Sequence, residues 1–374
     1  MEQRPLNIGI VCYPTIGGSG VVATEMAAHA ASVGHKVHLL SYDQPTRLLT
    51  RETSVTYHNV QVSAYPLFRY PPYDLALATR MLDVQEEFNI DVFHVHYAIP
   101  HAVSAYLARK MSGGRLRCIT TLHGTDITVV GADSAYTRPT RFAIEESHAV
   151  TAVSEFLAKE TQRIFSTNKE IQVIPNFVDT GVYKPGSIGR YYERKDDTRT
   201  LVHVSNFRPV KRVADVVRAF AAIQSEVPAR LQLVGDGPDR EHVFAIASDL
   251  GCAHAVEHLG NLESTESVLA DADLFLLASE TESFGLSMLE AMSCGVPCIS
   301  TDVGGVGEVL RDSSCLTPFG DPAAMARAAL PLLTDQKLHQ RVGLAGRARA
   351  IEQFDLSQIA DRYFELYRRV ISED

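Results

Sequence analysis

Short apolar runs alternate with helical stretches along the whole chain, in two separate series, and that alternation restricts the fold more than any other feature. A run at 8–13 (IGIVCY) is followed by the loop PTIGGSG, a helical stretch at 21–32 closed by Gly34, and a second run at 36–41. Strand, glycine loop, helix and strand in that order open a doubly wound α/β domain. Further strands are expected at 60–65, 92–95, 118–122, 150–153 and 173–174. At 175–197 the pattern breaks into PNFVDTGVYKPGSIGRYYERKDD, whose glycines, prolines and clustered charge read as a linker. A second series begins at 201, with strands expected at 201–204, 231–234, 274–277 and 297–300. The stretch 321–370 reads as three helical segments that pack on the outside.

These signals set the expected domains at 1–175 and 199–353, joined by a linker at 176–198 and followed by a helix at 354–374 that returns to the first domain. Ligands of such sheets bind outside the carboxyl ends of the strands. Two Rossmann-like doubly wound α/β domains are therefore expected to face one cleft. Length agrees, since 374 residues exceed one ordinary core. With 45% apolar and 21% charged residues and no run near the ~18 apolar residues of a membrane helix, the chain reads as soluble and globular. The start, MEQRPLNIGIVCYP, reads as a first buried strand and not a signal peptide, so a cytoplasmic location is expected. Six cysteines, at 12, 118, 252, 294, 298 and 315, form no CxxC pair and are expected as reduced core thiols. A net charge of -10 argues against a general nucleic-acid surface, while anions can still bind at local basic points.

The densest constellation is SETESFGLSMLEAMSCGVPCISTDVGG, at 279–305. Glu282 lies in a polar loop after an apolar run, and Glu290 stands eight residues on, inside a helix expected to begin near Phe284. With Gly285 allowing close approach, the N–H groups of that helix start suit a phosphate, and Glu290 can accept from a sugar diol. The other reading makes Glu282 an acid favoured by the helix dipole and Glu290 an exposed helical residue. Arg208 and Lys211, in SNFRPVKR after the first strand of the second series, can neutralise a pyrophosphate, or else cap and solvate a helix. GDGP, at 235–238, reads as a turn.

In the first series, GSGVVA at 18–23 fits a dinucleotide fingerprint with Asp43 as the ribose acid, yet residues 14–17 separate it from the strand. A longer glycine loop serves a phosphate or carboxylate equally well, and a plain turn and cap is a third reading. TLHGTD places His123 and Asp126 at a carboxyl edge, for a ligand or as structural groups. His94 and His96 share one strand face with His101 nearby, but no acid or thiol partner stands at metal-ligand spacing. Tyr97 reads as a hydrogen-bond donor at that strand end. The apolar segment YPPYDLALATRML, at 70–82, fits a homodimer contact or a helix on its own core.

Together the glycine loop, HGTD, FRxxK, GDGP and the E-x7-E segment followed by GxPxI and GG resemble the retaining GT-B glycosyltransferases of family 4, nearly end to end. Within that family CYPTIGGSGVVATE, YPPYDLALA, HVHYAIPHA, TTLHGTDIT and SNFRPVKR point to a UDP-GlcNAc donor and an L-malate acceptor. The resemblance implies catalytic roles for His123, Lys211 and Glu282. It implies donor contacts from Gly18, Gly20, Asn206, Arg208, Lys211, Leu262, Glu282, Phe284, Gly285, Leu286 and Glu290. For malate the matching positions are Ser19, Tyr97, Thr121 and Arg141. Many relatives carry an arginine five residues before the lysine, where this chain has Asn206. Either Arg208 supplies that charge, or the diphosphate relies on Lys211 and the helix terminus. No metal or other cofactor is expected, since no DxD motif stands in a phosphate loop. Other family 4 acceptors, such as an inositol phosphate, and a non-catalytic nucleotide-sugar sensor are the rival readings.

Overall fold

The computed structural model describes residues 4–15, 17–45, 48, 53–63, 66–186, 198–312 and 315–373. They divide into two units, Met1–Asn176 with Ser357–Asp374, and Phe177–Leu356.

The first unit holds strands β1 (Asn7–Val11), β2 (Lys36–Ser41), β3 (Thr56–Asn59), β4 (Val92–His96), β5 (Cys118–Leu122), β6 (Ala149–Ala152) and β7 (Ile171–Val173). Among the described residues they form one sheet of order β3-β2-β1-β4-β5-β6-β7. Every pairing is parallel; Ile8, for example, pairs with Val37 on one side and Val92 on the other. Parallel strands need crossovers, which here include helices α1 (Ser19–Ser32), α2 (Tyr73–Phe88), α3 (Val103–Met111), α4 (Thr137–Glu146) and α5 (Glu155–Phe165). Central strands of a parallel sheet are covered on both faces, so β1 and β4 are buried along almost their whole length, the two histidines of β4 included. The chain reverses its direction of winding between β1 and β4, and the crevice beyond their carboxyl ends is the binding position of such sheets.

The strand expected at 60–65 is instead β3, four residues earlier, and 64–65 lie outside the described residues. As an edge strand with one neighbour, β3 keeps the polar sequence TYHN that concealed it. The 70–82 segment enters α2, which buries Leu77, Ala78 and Met81 in its own unit's core. Tyr70 and Leu75 stay exposed.

The second unit holds β8 (Arg199–Val204), β9 (Ala229–Val234), β10 (Val256–Gly260), β11 (Leu274–Leu277), β12 (Cys298–Thr301) and β13 (Leu316–Thr317) in the order β10-β9-β8-β11-β12-β13, again parallel. Its helices are α6 (Val213–Gln224), α7 (Arg240–Asp249), α8 (Glu266–Ala270), α9 (Leu286–Ser293), α10 (Val306–Leu310), α11 (Pro322–Thr334) and α12 (Gln336–Phe354). The reversal falls between β8 and β11. Edge strands β10 and β13 had no counterpart in the sequence reading, because VEHLG and LT carry little apolar signal.

One segment departs from the expected boundaries, and the C-terminal helix follows them closely. Residues 177–186, read as linker, belong to the second unit: Phe177, Val178 and Tyr183 are buried, and the Val178 N–H donates to the Phe354 carbonyl at 2.9 Å. Residues 187–197 lie outside the described residues. Helix α13 (Leu356–Ser372) belongs from Ser357 onward to the first unit. Ile359, Ala360, Tyr363, Leu366, Tyr367 and Val370 form its buried stripe at helical spacing. Each large side chain in such a stripe contributes about 1.5–3 kcal/mol. All six cysteines are free and buried, as expected of core thiols.

Candidate functional site

In the second unit the loops after β8 and β11 meet. His203 on β8 donates from Nδ1 to the Leu276 carbonyl at 2.8 Å, which leaves Nε2 to accept from Ser205 Oγ, also at 2.8 Å. Ser205 Oγ lies 3.4 Å from the Phe207 N–H, and Phe207 adopts a left-handed φ of 41° with its ring buried. That reversal leads into the turn Pro209–Lys211. The Glu280 N–H donates to the Val210 carbonyl at 2.8 Å, tying the β8 loop to the β11 loop.

Lys211 Nζ then sits 2.6 Å from Glu282 Oε2, with both side chains largely buried. Burial pushes the Glu282 carboxyl up, but the charge and hydrogen bond of Lys211 and the backbone N–H groups of Phe284 and Gly285 outweigh it and hold the group below the usual range. Lys211 and the start of α9 thus converge on one anionic group. Gly285 precedes α9 with a φ of 91° and no side-chain cap. Gly304, with φ 60°, lies so close that a Cβ would overlap the Glu282 carbonyl oxygen, and the Gly305 N–H donates to that oxygen at 2.9 Å. Glu290 is buried in α9 and not an exposed helical acid. Leu286 is half-buried on α9, and Leu262 on the loop after β10. Arg208 is exposed, and its Nε donates to Asn206 Oδ1 at 3.3 Å, so the residue at the family's arginine position supports the neighbouring arginine.

In the first unit the ends of β1, β4 and β5 carry the predicted residues. Gly18 precedes α1 with no side-chain cap, Ser19 opens the helix, and Gly20 packs where a Cβ would come 2.5 Å from Thr15 Oγ1. Tyr97, at a φ of 84°, bridges two neighbours, its ring 5.5 Å from that of Tyr13 and 5.3 Å from that of His123. Non-glycine residues at such φ values cluster at functional sites. Arg141 on α4 is 49% exposed and pairs with Glu145 at 2.8 Å.

Two of the side chains singled out in this unit are buried and engaged within it. Asp126 is buried, not presented to a ligand: its carboxylate accepts the backbone N–H groups of Ala98, His123 and Gly124 at 3.0, 3.1 and 2.9 Å. Burial pushes its pKa up to about 6 against the opposing pull of those N–H groups. The Thr121 hydroxyl is fully buried and engaged by His94 Nε2 and Thr151 Oγ1, both at 2.6 Å, and by Tyr363 Oη at 3.3 Å. Strand alternation turns that side chain to the face of the sheet that α13 covers.

Among the described residues no group of three or more His, Cys, Asp or Glu side chains is arranged to hold a metal ion. His94 Nδ1 meets Tyr367 Oη at 2.7 Å, His101 Nδ1 donates to the His96 carbonyl at 2.5 Å, and His96 Nδ1 meets His123 Nε2 at 2.8 Å. The partners Tyr363 and Tyr367 had no sequence signal, because α13, which carries them, is more than 240 residues from His94 and Thr121 in the chain. The pairing of His96 with His123 was signalled only by the shared face of HVH.

Two doubly wound parallel units, one of them gathering a lysine, a carboxylate and a glycine-led helix start at its winding reversal, define the GT-B class of glycosyltransferases. Residues 16–182 match the family described as "Glycosyltransferase Family 4", and residues 190–349 match "Glycosyl transferases group 1". The N-acetyl-alpha-D-glucosaminyl L-malate synthase of Bacillus anthracis is 46% identical, over 99% of this chain and 98% of that protein. The GDP-mannose-dependent alpha-(1-6)-phosphatidylinositol monomannoside mannosyltransferase of Mycolicibacterium smegmatis is 28% identical, over 81% of this chain and 84% of that one. Among solved structures, Anabaena HepE in complex with UDP-glucose shares the fold with a TM-score of 0.81 at 19% identity, covering 97% of this chain and 100% of that one. The chain belongs to glycosyltransferase family 4.

Proposed function

We propose that this chain transfers N-acetylglucosamine from UDP-GlcNAc to the hydroxyl of L-malate with retention, giving GlcNAc-α-malate and UDP, the opening step of bacillithiol synthesis. The observation that carries this reading is the full-length 46% identity with a protein named for that product. The geometry of the second unit supports the donor half. Glu282 bonds to Lys211 and to the N–H groups of Phe284 and Gly285. A diphosphate takes bonds from these same donors, and the ionised Glu282 accepts from the sugar hydroxyls. Glu290 takes the ribose hydroxyls, Asn206 and Arg208 the phosphate rim, Leu286 the helix-start contact, and Leu262 the uracil edge.

In the reaction the bond from the anomeric carbon to the β-phosphate oxygen breaks, and the bond to the malate oxygen forms on the same face. The malate hydroxyl proton passes to the departing phosphate oxygen. Negative charge grows on that phosphate, so Lys211 and the fixed N–H groups stabilise the transition state more than the ground state. Ser19, Tyr97 and Arg141 hold the malate, the guanidinium answering its carboxylates, while Gly18 and Gly20 let the backbone approach the ligand. His123 steadies the sugar. No metal is required in this scheme. Exposed Leu67, Phe68, Tyr70 and Leu75 support a homodimer contact, which sedimentation tests.

The test measures UDP release from UDP-GlcNAc across L-malate, D-malate, lactate and an inositol phosphate. Release dependent on L-malate and indifferent to a chelator is expected. Preference for the inositol phosphate overturns the acceptor, binding without release with any acceptor overturns the activity, and loss with chelator overturns the metal-free scheme.

A further inference from the structure

His96 and His123 present a donor and acceptor problem that the rest of the site constrains. Their rings lie 5.1 Å apart, and the hydrogen bond between His96 Nδ1 and His123 Nε2, at 2.8 Å, contains one proton. Either nitrogen can carry it. The other nitrogen of His96, Nε2, is buried with no hydrogen-bond partner among the described residues. If His123 donated, neutral His96 would have to carry its proton on Nε2, as a buried N–H with no acceptor. If His96 donates from Nδ1, the unpartnered atom is a lone pair. Buried N–H groups without an acceptor are rarer in proteins than acceptors short of a donor, so the second arrangement is favoured.

We infer that His96 is a positioning residue that sets the tautomer of His123: by donating its Nδ1–H to His123 Nε2 it compels His123 to carry its own proton on Nδ1. The surroundings hold this geometry. His96 is tied through its carbonyl to His101 Nδ1 at 2.5 Å, and Asp126 clamps the backbone on both sides, at Ala98 and at His123 and Gly124. The pair also stays uncharged near neutral pH. Burial and the neighbouring His101 lower His123 to about 3, and burial with His94, His123 and His101 lowers His96 well below its ordinary value.

The consequence deepens the proposed transfer and rests on it. An imidazole with Nε2 accepting from His96 and Nδ1 protonated has no free lone pair. His123 can give a hydrogen bond to a sugar or carboxylate oxygen, and it cannot take the malate proton as a base. His96 thereby assigns that proton to the departing phosphate.

The tautomer is readable without any substrate. In the full chain with 15N-labelled histidine, long-range proton–nitrogen correlation separates the protonated nitrogen of each ring from the bare one, and loss of a spin system in His123→Gln assigns His123. The inference requires the proton on Nδ1 in the native protein; a proton on Nε2 overturns it even if UDP is released with malate as proposed. His96→Asn, whose amide N–H replaces Nδ1–H, should keep the His123 tautomer and most of kcat. His96→Phe should shift the tautomer and lower kcat roughly three- to tenfold, the rate equivalent of one oriented hydrogen bond, with both KM values little changed. Equal kcat in the two variants overturns the positioning role.

Discussion

Lys211 and Glu282 meet in a largely buried contact of 2.6 Å, an arrangement that keeps the carboxylate charged and holds the ammonium in place. Lys211→Ala removes a cation that a growing phosphate charge needs. Turnover of UDP-GlcNAc with malate should fall by about 10²–10³-fold, far more than donor affinity. Unchanged turnover removes Lys211 from the transition state. Arg141 differs, being exposed and, among the described residues, paired along its own helix with Glu145. Arg141→Ala should raise the KM for malate about tenfold or more and spare hydrolysis of the donor, as loss of charge-assisted hydrogen bonds to a carboxylate predicts. An unaltered malate KM excludes it from the acceptor site. At this scale the acids, the lysine and His123 were legible because each sits in a compact local pattern. The inward turn of Thr121 and the burial of Asp126 were not, since a hydroxyl or carboxylate at a strand edge reads the same whichever way it faces.

The glycines of the second unit separate two physical effects at the level of the element. Gly304 and Gly251 both hold positive φ, 60° and 72°, but only Gly304 faces an obstacle, the Glu282 carbonyl, whereas nothing lies within 4 Å of a Cβ at Gly251. Replacement by alanine at either position should lower stability by ~1–2 kcal/mol through left-handed backbone strain. Only Gly304→Ala should also force the Glu282 backbone to move, so it should melt below Gly251→Ala, and the donor KM and kcat should worsen in Gly304→Ala alone. Matching kinetics in the two variants would show that the close approach is immaterial. Central strands were legible here as continuous apolar runs, and β2, β5 and β11 fall where the pattern set them. Edge strands β3, β10 and β13 need cover from fewer neighbours and carry polar residues, so the apolar pattern missed or misplaced them.

Both units carry histidines buried as neutral groups. Burial lowers His94 to about 3, His101 to about 4 and His203 to about 4, and His123 and His96 shift the same way. An unfolded chain binds protons at these side chains near pH 6.5, which the folded chain refuses until pH 3–4. Their contribution to stability is therefore full above about pH 6.5 and is lost as pH falls toward those lower values. Asp126, raised to about 6, and Asp74, also raised by burial, work in the opposite sense, but they are two groups against several. The melting temperature should fall steadily from pH 7 to pH 5; a flat or rising profile contradicts neutral burial of this cluster. The division into two α/β units was legible across the molecule because a parallel sheet imposes its alternation on every segment. The place of Phe177, Val178 and Tyr183 in the second unit was not, since glycine, proline and charge around them masked three buried side chains. The claim that joins these scales is a retaining transfer of GlcNAc to malate, and the most direct test is the anomeric configuration of the product formed from UDP-GlcNAc and L-malate, read from its proton coupling. A single GlcNAc-malate of α configuration is predicted; a β product, or free GlcNAc with malate unmodified, contradicts it.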